Sequence, residues 1–357
     1  MNRNLYIQGL RGALSLALFF YHVANSGLPT FDGAWAGWLD TWLRSFEYGV
    51  EIFFGVSGIV IVFAFRKSKA VSHFLIDRAS RIYPVLWVTV LCIFVLSGFD
   101  SRHRIDAGPL VLLGNLFALP PLVPIKLIHP AAWTISYEFL FYMFFVLFGV
   151  AAARAGKKLA LALVLALGVL FIFYHIRALS FLIGMAVAYI ADRKELRVRY
   201  AGLAVFGAML CWHQGMTVLG SQYDTVMQVA ADPLAAAWFG AGAVLAFIGL
   251  LGVFGGHGLF CRLLVTPVFQ WLGALSFSLY MWQAIVMAVV KKSLYLSGAV
   301  AAVGPWSQLL FLLVALPPTL VVSRLSQIYL EGHATRWVRA YANKRVSVPP
   351  AVPVMPE

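Results

Sequence analysis

Six residues set within or beside apolar stretches carry most of the chemistry this sequence offers: Arg11, His22, Glu51, Arg78, Arg81 and Glu138. His22 follows Arg11 by eleven residues, close to three helical turns, so both fall on one face about 16 Å apart along the axis. An imidazole is the commonest general base near neutral pH. Glu138 lies one to two turns into the segment Trp133-Thr-Ile-Ser136-Tyr-Glu138-Phe-Leu-Phe-Tyr142, the depth expected for His22. A carboxylate at that level would fix the imidazole tautomer and stabilise the imidazolium. Arg78 and Arg81 stand three apart in Asp77-Arg78-Ala-Ser-Arg81-Ile-Tyr-Pro84, and a paired guanidinium cluster suits a polyphosphate. Glu51 is a further acid, in Tyr48-Gly-Val-Glu51-Ile-Phe-Phe-Gly-Val-Ser57-Gly58, whose small residues allow helices to pack closely. Plainer readings exist for each: snorkelling for Arg11, a packing hydrogen bond for His22, an unrelated interfacial group for Glu138, a structural role for Glu51, and simple basic anchoring for Arg78 and Arg81.

The elements that position these groups must be membrane helices. Of 357 residues, 62% are apolar and 11% charged, too much apolar surface for a water-soluble core. Stretches near the 20 residues needed to cross a bilayer recur at roughly 5–25, 46–65, 82–99, 133–153, 159–175, 178–192, 200–219, 233–253, 268–290 and 305–323. The expected fold is an all-α polytopic bundle of about ten transmembrane helices. One membrane domain covers residues 1–345, and the Pro-rich tail 346–357 is expected to be disordered. The first apolar run keeps Arg11 and His22 and reads as a retained helix rather than a cleaved signal. With the N-terminus inside, the inner segments hold nineteen of the 27 Lys and Arg residues and the outer ones seven, Arg177, Lys291 and Lys292 among them. That bias puts both termini in the cytoplasm. It also accounts for the net charge of +13 without nucleic acid. Cys92, Cys211 and Cys261 are scattered singly, so neither a disulfide framework nor a metal site is expected. The longest outer loop, 100–132, contains an apolar stretch from Pro109 to Leu119 that suits a re-entrant or interfacial helix.

Taken in order, these segments resemble the membrane-bound acyltransferase family three. Leu10-Arg11-Gly12 with His22 is similar to that family's first-helix arginine and histidine. Gly49-Val-Glu51-Ile-Phe-Phe54 through Ser57-Gly58 resembles its second-helix signature. Phe74, Arg78, Arg81, Ile82 and Pro84 resemble its basic third-helix segment, and Trp133, Ser136, Glu138, Phe141 and Tyr142 its tryptophan, serine and glutamate segment. Leu272-Gly273-Ala-Leu-Ser276-Phe-Ser278-Leu-Tyr280-Met-Trp282 resembles the ninth-helix motif, but Gln283 stands where many members have histidine. Glu331 resembles a terminal glutamate motif without its usual proline neighbour.

The resemblance implies an O-acyltransferase of the bacterial inner (cytoplasmic) membrane that carries acetyl, or another acyl group, from acyl-coenzyme A to a sugar, oligosaccharide or polysaccharide. Acetyl-coenzyme A is then a donor substrate, and no bound cofactor is implied. On this reading His22 is the general base or a transient acyl carrier, with Glu138 orienting it. Arg11, Arg78 and Arg81 hold the donor's phosphates at the cytoplasmic mouth, and Glu51, Trp133, Ser136 and Tyr142 are substrate-binding positions. The pantetheine arm would thread into the bundle toward an acceptor on the outer face, covered by the 100–132 loop. The main rival is a proton-coupled transporter or flippase using His and Glu as a relay. A structural accessory subunit is the blandest alternative.

Overall fold

The computed structural model describes residues 5–31, 34–68, 70–99, 105, 108–152, 158–191, 197–221 and 223–345. The elements are helices throughout: α1 (Leu5–Ala24), α2 (Ala34–Ser45), α3 (Gly49–Lys67), α4 (Val71–Gly98), α5 (Pro109–Leu116), α6 (Ala132–Ala152), α7 (Lys158–Tyr174), α8 (Leu179–Ala191), α9 (Ala201–Leu219), α10 (Val226–Ala230), α11 (Pro233–Gly255), α12 (Gly258–Leu264), α13 (Pro267–Leu296), α14 (Ala299–Val303), α15 (Ser307–Ser326) and α16 (Thr335–Arg345). Each of the ten expected segments coincides with one of these, and the protein is an all-α polytopic bundle. Among the described residues, seven helical stretches are long and apolar enough to cross a membrane, or eight if the bent pair α7–α8 forms one span. Helix α1 has the length but is broken up by Gln8, Arg11 and His22. The tail 346–357 lies outside the described residues.

Glycine sets how closely the central helices approach. A Cβ on Gly12 of α1 would stand 2.6 Å from the backbone nitrogen of Gly273 on α13. A Cβ on Gly184 of α8 would overlap the Gly55 carbonyl of α3. Small residues at a crossing let backbones meet where lipid supplies no hydrophobic drive. Helices α1 and α13 run parallel: Gln270 donates to the Leu5 carbonyl at 2.7 Å near one end, and Lys291 reaches the Ser26 carbonyl at the other. Lys67, Arg81 and Arg339 mark one end of the bundle, its basic end.

The segment before α6 folds inward. Asn115 is fully buried, and its amide donates to the Val111 and Lys126 carbonyls at 2.9 and 2.8 Å while accepting from the Ile128 N–H at 2.8 Å. Buried His129 contacts the Met281 carbonyl through Nε2 at 2.9 Å and accepts from the Ala131 N–H at 3.1 Å through Nδ1. Since Nδ1 accepts, the proton sits on Nε2 and donates to Met281. Met281 lies midway along α13, so α6 starts inside the bundle rather than at its surface.

Two other departures shape the site. Helix α4 begins at Val71, a full three turns before the expected start near 82, so Arg78 and Arg81 sit on the helix itself. Helices α7 and α8 meet at 119°. The break is pinned by Tyr137, whose hydroxyl lies 2.7 Å from Nδ1 of His175, and by the Ile176 N–H, which donates to the Asp224 carbonyl at 2.8 Å. Beyond α15 the chain continues through a π-helical stretch, Gln327–Ala334, into α16. There Thr335 donates to the Ser80 carbonyl at 2.7 Å, and Arg339 pairs with Asp77 at 2.9 Å. The C-terminal helix is thereby strapped to the start of α4.

Candidate active site

Arg11, Arg78 and Arg81 converge on one internal cavity, which Glu138, Tyr142 and Ser57 also line, with Val50, Phe53, Phe54, Thr134 and Tyr280 forming much of its wall. Arg78 and Arg81 share a face because α4 is helical through them. The Arg78 guanidinium lies 5.6 Å from the centre of the Phe74 ring and 5.9 Å from that of Tyr142. Its Nε is buried and has no hydrogen-bond partner among the described residues. Arg81 stands 3.8 Å from Glu331, which also accepts from the Ser278 hydroxyl at 2.6 Å. The π-helical stretch aims Glu331 there, as single π turns often do at functional positions.

Glu138 accepts from the Ser57 hydroxyl at 2.9 Å and from the Tyr142 hydroxyl one turn along its own helix. Three guanidiniums and one carboxylate on one cavity leave it cationic, so an anion is its natural occupant. A second cavity adjoins at the basic end. It shares Arg11 and Arg81 with the first and is lined toward solvent by Lys67, Gln327, Thr335 and Arg339. A third cavity is lined by Lys67, His73, Asp77 and Arg78.

His22 does not line these cavities. It stands three turns, about 16 Å, beyond Arg11 on α1, away from the basic end. The expected His22–Glu138 pair is not formed: the inward start of α6 carries Glu138 down to the level of Arg11. The ring centre of Tyr21 lies 4.9 Å from that of His22, and Tyr21 hydrogen-bonds Glu47.

The four expected substrate positions separate. Tyr142 faces the cavity. Ser136 is turned away into the inward loop, donating to the Pro120 carbonyl at 2.5 Å. Glu51 and Trp133 sit behind the wall, where both meet Arg177: Glu51 pairs with its Nε, and its guanidinium lies 4.7 Å from the Trp133 ring centre. Arg177 was expected in an outer loop, yet it is only 9% exposed. The signal that points to it is Glu51 itself, since an acid within a span calls for a cation. His129 and Asn115 of the inward loop carry no comparable signal in the sequence.

The family model described as an acyltransferase domain matches residues 4–325. The chain belongs to acyltransferase family three. It is a multi-pass membrane acyltransferase. The chain is similar to the exopolysaccharide production protein ExoZ of Rhizobium meliloti (strain 1021), at 29% identity over 263 residues that cover 69% of this chain and 78% of the relative. No solved structure matches.

Proposed function

We propose that this acyltransferase takes an acyl group, acetyl foremost, from acyl-coenzyme A entering at the basic end and transfers it to a hydroxyl of an exopolysaccharide on the opposite side of a bacterial inner membrane. The observation that carries this reading is the cationic internal cavity of Arg11, Arg78 and Arg81, which shares Arg11 and Arg81 with a neighbouring cavity at the basic end. The charge of these side chains suits a polyanionic nucleotide, and the reading needs its arm to extend along the bundle axis. His22, about three turns further on, is the proposed base. The acceptor oxygen attacks the thioester carbonyl carbon and gives its proton to His22. The carbon–sulfur bond breaks, and coenzyme A leaves as the thiol after the imidazolium returns that proton. Glu138 takes a different part from the orienting one first expected: it holds Ser57 and Tyr142 and offsets part of the arginine charge. Likeness to ExoZ supports the polysaccharide acceptor.

Mass spectrometry of surface polysaccharide from cells with and without the protein tests the proposal. An acyl mass present only with the protein is the expected result. Identical polysaccharide, or solute flux without a covalent product, would overturn it in favour of a transporter.

A further inference from the structure

The Glu51–Arg177 pair lies outside the cavity but directly behind it. Val50 and Phe54, which flank Glu51 on α3, and Thr134, next to Trp133 on α6, all line the cavity wall. Glu51 precedes Ser57 by six residues, so the pair stands about 9 Å beyond the Glu138 level, toward the end where His22 lies. Both residues are at least nine-tenths buried, at 2% and 9% exposure. The guanidinium is held between Trp133 at 4.7 Å and Tyr48 at 5.9 Å from the ring centres.

The pairing is half complete. Nε and Nη2 of arginine share one edge, and that edge ordinarily grips both oxygens of a carboxylate through two parallel bonds. Here Nε donates to Oε1 of Glu51, while Nη2 of Arg177 and Oε2 of Glu51 are each buried without a hydrogen-bond partner among the described residues. One donor and one acceptor are thus left over on the same ion pair. Buried charged groups rarely stay unsatisfied without a functional reason.

The leftover pair defines its occupant. A group bridging Nη2 and Oε2 must accept from one and donate to the other. A carboxylate or ionised phosphate only accepts, and an ammonium only donates. An alcohol does both. We infer that Arg177 and Glu51 form a hydroxyl clamp for the acceptor sugar, with one sugar O–H accepting from Arg177 Nη2 and donating to Glu51 Oε2. The inference rests on the acyl transfer proposed above and assigns Arg177 to acceptor recognition. Water has the same donor and acceptor character, and the test below separates the two.

The experiment measures initial rates of acyl transfer in membrane vesicles. The donor is radiolabelled acetyl-coenzyme A, and the acceptor is alkali-deacylated exopolysaccharide of the producing strain. The wild type is compared with Arg177→Lys, which keeps the charge but loses the two-pronged edge, and Glu51→Gln, which keeps the shape but loses the full acceptor. The expected result for both variants is an acceptor KM raised at least about tenfold, with the donor KM within about twofold of wild type. The unchanged donor KM doubles as proof of an intact bundle. An unchanged acceptor KM in both variants would leave only bound water and overturn the clamp. A parallel loss of donor and acceptor binding in both would make the pair purely structural and overturn it too. If the wild type itself transfers nothing, the acyl-transfer proposal falls, and the clamp with it.

Discussion

On the proposed reading, single residues of α1 separate the base from the charges that anchor the donor. Arg11 and His22 share a face but differ by three turns, so one helix touches both the arginine-lined cavity and the opposite level. His22→Ala is therefore predicted to lower acyl transfer by at least about a hundredfold, the scale of a lost general base, while coenzyme A binding in vesicles stays at the wild-type level. Retained transfer would move the base elsewhere. The pairing of Arg78 with Arg81 was legible from residue type and helical spacing, and Arg11 was set beside them only on the acyl-transfer reading; that Tyr142 joins the arginines was not legible. Nor was the partner of Glu51. Arg177 sits in a four-residue connection between two short apolar runs, and nothing in its neighbours tells whether such a cation turns to water or folds inward onto a buried acid.

Two elements convert these residues into a site. Helix α4 presents Arg78 and Arg81 from consecutive turns, and charge-assisted contacts of this kind contribute about 1.5–3 kcal/mol each. The double variant Arg78→Ala with Arg81→Ala is predicted to weaken coenzyme A binding by about a hundredfold or more in an equilibrium assay, with membrane insertion intact; unchanged affinity would reduce the pair to basic anchoring. The second element is the inward loop leading to α6. Apolar length located α6 to within a residue, but its depth depends on Asn115 and His129 reaching partners 11 to 152 residues away, contacts no local pattern encodes. Burial pushes the His129 imidazole down to about 4, so the folded state prefers it neutral. A folded value below the unfolded one means stability is intact above about pH 6.5 and is lost as pH falls toward 4. By pH 5 the loss attributable to His129 is about 2 kcal/mol. Thermal unfolding of the detergent-solubilised protein at pH 7.5 and 5 is expected to show that difference in the wild type. In His129→Gln it should shrink, and an equal acid loss in both would discount the loop as the acid-sensitive element.

At the scale of the whole molecule, the direction of transfer depends on which membrane face carries the basic end. The parallel run of α1 and α13 ties residues far apart in sequence to the same faces: Leu5 and Gln270 at one, Ser26 and Lys291 at the other. Lys67, Arg81 and Arg339 surround the cavity mouth at the first of these faces. Positive charge retained on the cytoplasmic side would put that mouth where acyl-coenzyme A is made. Lys291 stands at the opposite face, so the charge asymmetry is a majority rule rather than an absolute one. The orientation can be read with single cysteines introduced after Cys92, Cys211 and Cys261 are replaced by serine. In intact spheroplasts, a membrane-impermeant maleimide is predicted to label Ser297→Cys, just beyond α13, and to leave Lys67→Cys unlabelled until the membrane is permeabilised. Both side chains are exposed in the fold, so reactivity reports the side of the membrane rather than burial. The reverse pattern would place the arginine cavity's mouth outside, away from any cytosolic thioester, and the proposed inward-to-outward path would have to be abandoned.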